Sequence, residues 1–239
     1  MEIGFSTLAL FMKDDRDIIS IAHKHIFDMI EILAEDVFFE KNNIDAYMNS
    51  GLDMRIHAAT VDINIASLNK GIRRESVRQM IACGQYAERI GAKTITVHPG
   101  KVGRNDLRIR KYAIEKAVES IGEIIDKTNV EVSVENMPNR KSFLASQVEE
   151  LELIQENTGC HLTIDTGHAN TADNLEEMLN LKSIAYCHIH DNDGQHYQHI
   201  SLGEGTLDLN LLKKIDYGII ELNNFENVLK SKEVIEKII

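Results

Sequence analysis

The feature that most constrains this chain is an alternation. A short, nearly continuous apolar run is followed by a segment of helical period, and the unit recurs along the whole sequence. The runs cover residues 2–7, 28–33, 53–58, 94–98, 130–135, 161–165, 184–188 and 217–222. Runs that are apolar throughout, rather than every second residue, suit parallel strands covered on both faces. The intervening helical segments are 14–27, 41–49, 73–90, 107–127, 146–157, 173–180, 208–214 and 224–239. In 14–27 the residues Ile18, Ile21, Ala22 and His25 share one face; in 73–90 Val77, Ile81, Gly84 and Ala87 do, with Gly91 placed to end the helix. Ser146 and Glu149 have the spacing of a capping box. The segment 41–49 has the least helical face, made only by Ile44, Tyr47 and Met48.

Eight β/α units in 239 residues predict an α/β fold closed into a single (β/α)8 TIM barrel, one domain over residues 1–239. An open sheet of six or seven strands is the alternative. No G-x-G-x-x-G follows the first run, which argues against a dinucleotide fold.

A closed barrel carries its chemistry at the C-terminal ends of its strands. Strand three ends at His57, strand four at His98, strand five at Glu135 and strand six at Asp165, with His168 in the next turn. Strand seven ends at His188 and strand eight presents Glu221. Both prolines, Pro99 and Pro138, stand just behind such ends and stop the strands there. A single histidine at a strand end usually serves the fold. Glutamates on apolar strands are harder to dismiss, because a buried carboxylate needs a partner or a cation. Together these groups predict an N/O site for a divalent cation, with the imidazoles favouring zinc-like metals and the carboxylates magnesium or manganese.

Composition narrows the partners. Asp and Glu number 38 against 26 Lys and Arg, a formal net charge of −12, which argues against a long phosphate-tracking surface. Aromatic residues are 5% with no Trp, so stacking platforms for bases are not expected. Cys83, Cys160 and Cys187 form no C-x-x-C pair, which suits a reducing compartment. No apolar run reaches the ~18 residues that span a bilayer. Residues 1–12 lack a basic start and read as a first core strand rather than a signal peptide. The expectation is a cytoplasmic protein with no membrane partner.

At these motifs the sequence resembles the superfamily that contains endonuclease IV and the xylose-isomerase-like sugar isomerases and epimerases. The matching strings are His57-Ala58 with Asp62-Ile63-Asn64-Ile65-Ala66-Ser67, Val97-His98-Pro99-Gly100, and Val134-Glu135-Asn136-Met137-Pro138. They continue with Ile164-Asp165-Thr166-Gly167-His168-Ala169-Asn170, His188-Ile189-His190-Asp191 and His199-Ile200-Ser201-Leu202-Gly203-Glu204-Gly205. The resemblance implies Glu135, Asp165, His188 and Glu221 as metal ligands common to both branches. The endonuclease IV branch adds His57 and His98 for another metal. It builds a third site from His168 and an Asp-x-His pair, which here reads Tyr197-Gln198-His199. Tyrosine thus replaces a carboxylate, with Asp191 or Asp193 as possible substitutes. The implied cofactor is one to three divalent ions, zinc or manganese.

The resemblance leaves two chemistries open. A metal-dependent sugar or sugar-phosphate isomerase or epimerase would use Glu135 and Glu221 as both ligands and acid/base groups, on opposite faces of the substrate. An endonuclease IV-like phosphodiesterase would cleave DNA at abasic sites. Acidic charge and short loops favour the small sugar or sugar phosphate over DNA and make the isomerase or epimerase the leading expectation, with the endonuclease as the alternative towards which the histidine-rich ligand set leans. Other metal-dependent lyase chemistry, or a barrel that only binds metal, is the third reading. Lys101 and Arg140, on loops behind strands four and five, are candidates to meet a substrate phosphate or carboxylate. His190, His196 and Cys187 are expected to support the ligands or the fold, and His23, His25 and His161 to have no role in the site.

Overall fold

The computed structural model describes residues 1–10, 13–35, 44–104 and 106–239. Its centre is a closed barrel of parallel strands in sequence order, each hydrogen-bonded to the next and the last to the first. The strands are β1 Glu2–Ser6, β2 Met29–Ala34, β3 Asp53–Ala58, β4 Thr94–Val97, β5 Glu131–Glu135, β6 His161–Asp165, β7 Ile184–Ile189 and β8 Tyr217–Ile220. The helices, in chain order, are α1 Asp15–Lys24, α2 Ile44–Met48, α3 Lys70–Ile90, α4 Leu107–Asp126, α5 Val148–Thr158, α6 Thr166–Ala172, α7 Leu175–Met178 and α8 Phe225–Ile238. The (β/α)8 barrel expected from the alternation is the fold observed. No described helix is long and apolar enough to cross a membrane.

The long helices take local caps, although the first stops at Lys24 rather than residue 27 and the one expected from residue 73 starts at Lys70. Asp14, Asn69, Asp106 and Asn224 cap α1, α3, α4 and α8 through their side chains. Gly91 ends α3 in the left-handed region, φ 74°, where a Cβ would be strained. Four helical expectations are revised. The capping box at Ser146 does not form: α5 opens at Val148 with no side-chain cap. Ala145 stands at φ 55°, and the Glu150 carboxylate reaches back to its N–H (2.8 Å) while also pairing with Arg110. The segment expected at 173–180 is helical only over Leu175–Met178, and 208–214 forms a 3₁₀ turn, Leu209–Lys214. In 41–49 the helix covers Ile44–Met48; residues 41–43 lie outside the described residues.

Packing divides into two layers. Outward strand residues such as Ile30, Ile56, Ile95, Val134, Leu162 and Ile164 meet the helices in one large apolar core. Inside the barrel the apolar content is small: Met29, Tyr186 and Ile219 form a separate cluster. Above it the inward positions turn polar, because side chains alternate along a strand. On β7 the same alternation directs Tyr186, His188 and, past its end, His190 inward; on β2 it directs Met29 and Glu31.

Candidate metal centre

The polar inward residues converge at the C-terminal mouth. Glu135, at the end of β5, is at the centre, buried, with its two oxygens facing different partners. Oε2 lies 2.9 Å from His98 Nε2 and 3.3 Å from His57 Nε2. Oε1 lies 3.1 Å from His188 Nδ1 and 3.5 Å from His168 Nδ1. His188 Nδ1 also stands 3.6 Å from Glu221 Oε2 and 4.0 Å from Asp165 Oδ2. Four groups of donors therefore have all their ligand atoms within 4.8 Å of one another: His57–His98–Glu135; Glu135–Asp165–His188–Glu221; His57–His188–Glu221; and His168–His190–His199. Every ligand expected from the strand ends and the resemblance stands in at least one of them.

The loops hold these side chains in place. Asn136 receives the Asp165 N–H (2.7 Å) and donates to the Asp165 carbonyl, tying the end of β5 to that of β6. Its own carbonyl accepts from His168 Nδ1 at 2.8 Å. Asp165 caps α6 by accepting the His168 N–H (2.7 Å). Behind β3, Asn64 accepts the N–H groups of Ala66 and Lys101, which joins the loop following His57 to the one following His98. Asp191, fully buried, accepts the N–H groups of Asn192, Gly203, Gly205 and Leu207.

A shared pattern marks the histidines. One ring nitrogen is spent on a fixed acceptor and the other faces the cluster. His57 Nδ1 donates to the Ala58 carbonyl (2.8 Å), His168 Nδ1 to that of Asn136, and His199 Nδ1 to that of Glu221 (3.0 Å). This is how proteins present imidazoles to metals, because the anchored N–H fixes both tautomer and ring plane. The second nitrogen of His168, Nε2, is buried with no hydrogen-bond partner. Burial also pushes the His168 pKa down, outweighing Asp165 and Glu135, so a neutral ring with a free lone pair is favoured. A divalent cation fits that orphaned donor and this mixed imidazole and carboxylate set.

Charge makes the same point. Glu31, Glu135, Asp165 and Glu221 are all buried. Burial pushes the Glu135 carboxyl up, but the His188 and His98 rings outweigh it and hold it well below the usual carboxylate range. For Asp165 burial is likewise overcome by His168 and His190. Burial lowers His57, yet its bond to Glu135 and the surrounding carboxylates raise it to about 9. Glu31, Glu135 and Asp165 therefore stay ionised, neutralised by protonated imidazoles or, equivalently, by bound cations.

Several expectations change at the third cluster. Tyr197 stands where the resemblance expects a carboxylate, its ring 5.1 Å from His168 and 5.0 Å from His199. Burial and the nearby Glu221 and Asp165 carboxylates push its phenol up, so it adds no charge. Asp191 does not replace the missing carboxylate, since its oxygens are taken by four backbone N–H groups. Asp193 does not either: it is exposed and bonded to His196. The group that joins instead is His190, expected only to support ligands or fold. Its ring stacks on His199 at 3.9 Å and its Nε2 lies 3.0 Å from Asp165 Oδ1. His196 and Cys187 lie outside the donor groups.

Sequence reasoning missed Glu31 as well. It is fully buried in β2, with Oε2 2.8 Å from His188 Nε2 and 2.5 Å from the Tyr186 hydroxyl. The signal was there: an acid in the middle of Met29-Ile30-Glu31-Ile32-Leu33. Lys101 and Arg140 are exposed beyond the centre. Arg140 lies over the Tyr197 ring (5.3 Å), and Lys101 over Phe143 (5.2 Å). A cavity of about 750 Å³ opens onto the cluster, and Leu8, Leu33, Val61, Ile63, Tyr197 and His199 are among the residues that line it.

The sequence profile of the xylose isomerase-like TIM barrel family matches residues 2–238. The chain belongs to that family. Among relatives of known sequence, the uncharacterised protein MJ1614 of Methanocaldococcus jannaschii is 28% identical over 228 residues, covering 90% of this chain and 87% of its own. A probable endonuclease 4 of Thermoplasma volcanium is 29% identical over 178 residues, 67% of this chain and 61% of its own. The crystal structure of a D-tagatose 3-epimerase-like protein superposes with a TM-score of 0.87 at 26% identity, covering 100% of this chain and 97% of the other. Both branches foreseen from the motifs are thus represented among its relatives in this xylose isomerase-like family.

Proposed function

We propose that this chain is a divalent-metal hydrolase of phosphate esters, closer in chemistry to endonuclease IV than to the sugar epimerases. The observation that carries the reading is the division of Glu135: Oε2 faces the His57–His98 pair and Oε1 faces His188 with Asp165 and Glu221 behind it. A carboxylate shared by two complete donor groups would serve two cations, whereas epimerisation needs only one.

His57, His98 and Glu135 would hold one ion; Glu135, Asp165, His188 and Glu221 the other; His168, His190 and His199 are donors for a third. When bound, such ions polarise a phosphoryl oxygen and make water a nucleophile at neutral pH. The chain's own residues do the rest. Asp165 and Glu221 balance cationic charge on the inner side, while His98, less buried, stands at the open edge. Leu8, Leu33, Val61 and Ile63 give the open cavity apolar lining beside the donor groups. Arg140, steadied on the Tyr197 ring, offers a guanidinium to a phosphate oxygen, and the neutral Tyr197 hydroxyl is a donor at the mouth. With a net charge of −12 the chain suits a short contact around one phosphate rather than a long duplex track.

A second reading has its own support. The epimerase-like structure covers nearly the whole of both chains, and Glu135 and Glu221 both stand beside His188 Nδ1, where they could move a proton at a sugar carbon. One assay pair separates the two. Chelator-stripped protein reloaded with zinc or manganese is given a duplex carrying a single abasic site and a small aryl phosphodiester. In parallel it is given ketoses and ketose phosphates in deuterated water. Metal-dependent ester cleavage supports the hydrolase. Deuterium entering a carbon-bound position, with no ester cleaved, overturns it in favour of the epimerase.

A further inference from the structure

Three histidines of the centre are anchored alike, and His188 is anchored differently. His57, His168 and His199 each donate one ring N–H to a backbone carbonyl; His188 meets a buried carboxylate instead, Glu31 Oε2 at 2.8 Å from its Nε2. We propose that Glu31 is a positioning residue for the metal centre: it holds the N–H of His188 Nε2, and so fixes Nδ1 as the ligand atom that meets Glu135, Asp165 and Glu221. The proposal rests on the metal-centre reading above and deepens it.

Three further observations carry it. First, Glu31 comes from β2, whose described residues supply none of the donor groups, yet the acid lies fully buried on the inward side of that strand. A buried carboxylate is costly unless it is bonded, so a position serving only the fold would be better filled by an apolar residue. Second, Glu31 is itself held. The Tyr186 hydroxyl donates to the same Oε2, and lies 2.5 Å from Thr96 Oγ1; Thr96 bonds Thr163 at 2.7 Å, which bonds Ser133 at 2.7 Å. These hydroxyls form a polar floor across β4, β5, β6 and β7, directly below the strand-end ligands. Third, both nitrogens of the His188 ring face a carboxylate, Glu31 at Nε2 and Glu135 at Nδ1, and the bond to Glu31 is the shorter, 2.8 Å against 3.1 Å. A carboxylate accepts more strongly than a carbonyl, which raises the basicity of the opposite nitrogen as well as setting its direction.

The test is zinc binding to metal-free protein, by competition with a chelating indicator, in wild type, E31Q, E31L and Y186F. It is read beside the ring-nitrogen NMR shifts of His188 in the zinc form. E31Q keeps the shape and one acceptor oxygen, so it remains informative if E31L fails to fold. Loss of such an outer partner typically weakens metal binding by roughly 10–100-fold. We expect that loss in E31L and a smaller one in E31Q, with His188 no longer held as the Nε2–H form. Y186F, which keeps the Glu31–His188 bond, should stay within about threefold of wild type, below that range. Wild-type affinity in both Glu31 variants, with His188 still protonated at Nε2, overturns the proposal while leaving the metal centre standing. So does a loss in Y186F as large as that in E31L, which would assign the effect to the hydroxyl floor. Failure of the wild type to bind zinc overturns the metal centre and this role together.

Discussion

Gly167 and the ring of His190 occupy adjoining space so closely that a Cβ on residue 167 would lie 2.0 Å from His190 Cε1 and 2.3 Å from its Nδ1. The glycine in the Asp165-Thr166-Gly167-His168 turn is therefore a condition for His190 to lie stacked on His199. Replacing Gly167 with alanine is expected to cost about 1–3 kcal/mol through overpacking. It should also displace His190 from the third donor group. Thermal unfolding measures the first effect; the number of zinc ions retained per chain measures the second, which should fall while the ions around Glu135 remain.

Glu135 is the group both main sites share. Glu135→Gln is expected to lower ester cleavage by at least about a thousandfold, roughly 4 kcal/mol of transition-state stabilisation. Zinc binding at both sites should weaken together. Steady-state kinetics with equilibrium dialysis checks this. Loss of only one ion would mean that Glu135 belongs to a single site.

Proton competition fixes the pH dependence. In metal-free protein His57 is raised to about 9, against an ordinary value near 6.5. Its pairing with Glu135 therefore stabilises the metal-free fold fully below about pH 6.5, and that contribution is lost as pH rises through 9. A cation must displace the same proton, so zinc affinity should rise about tenfold per pH unit for each proton released, up to about pH 9. Titration in buffers of different ionisation enthalpy counts the protons. In chelator the unfolding temperature should fall between pH 7 and 10.

Asp191 gathers the loop that follows His199. With four backbone N–H groups converging on one buried carboxylate, Asp191→Ala should cost roughly 2–4 kcal/mol, from loss of charge-assisted bonds. Hydrogen exchange should speed up at Gly203, Gly205 and Leu207. The Leu202-Gly203-Glu204-Gly205 string thereby acquires a physical reason: its backbone, not its glutamate, faces the centre. A Cβ at Gly205 would strike the Asn192 carbonyl at 2.2 Å.

Tyr197→Asp tests what the tyrosine withholds. A carboxylate there would add charge beside His168 and His199, and the weakest-bound zinc should tighten by about tenfold or more, of the order of one charge-assisted ligand contact. Calorimetric titration against the wild type reads the change. No tightening would place the tyrosine outside the reach of that ion.

The sequence was informative wherever one residue type had one meaning. Continuous apolar runs ending in His or Asp/Glu marked both the strands and the mouth, because outward strand residues pack on the helices while the chemistry of a barrel gathers at the C-terminal strand ends. Contacts that depend on which way a strand residue points were harder to read. His190 and Tyr186 lie two residues either side of His188 and so face the same interior, but His190 lies past the end of β7, where sequence alone does not carry the strand period onward. Glu31 was hidden by its apolar neighbours. The missing cap at Ser146 and the occupied carboxylate of Asp191 depend on side-chain geometry between segments distant in sequence, which spacing alone does not carry.

The central claim is that Glu135 bridges two cation sites. Anomalous diffraction at the zinc edge, from crystals of stripped and reloaded protein, tests it most directly. The account expects two peaks, one within ligand distance of Glu135 Oε2, His57 and His98, the other of Glu135 Oε1, Asp165, His188 and Glu221. A single peak confined to Asp165, His188 and Glu221, with His57 and His98 still bonded to Glu135, would contradict it.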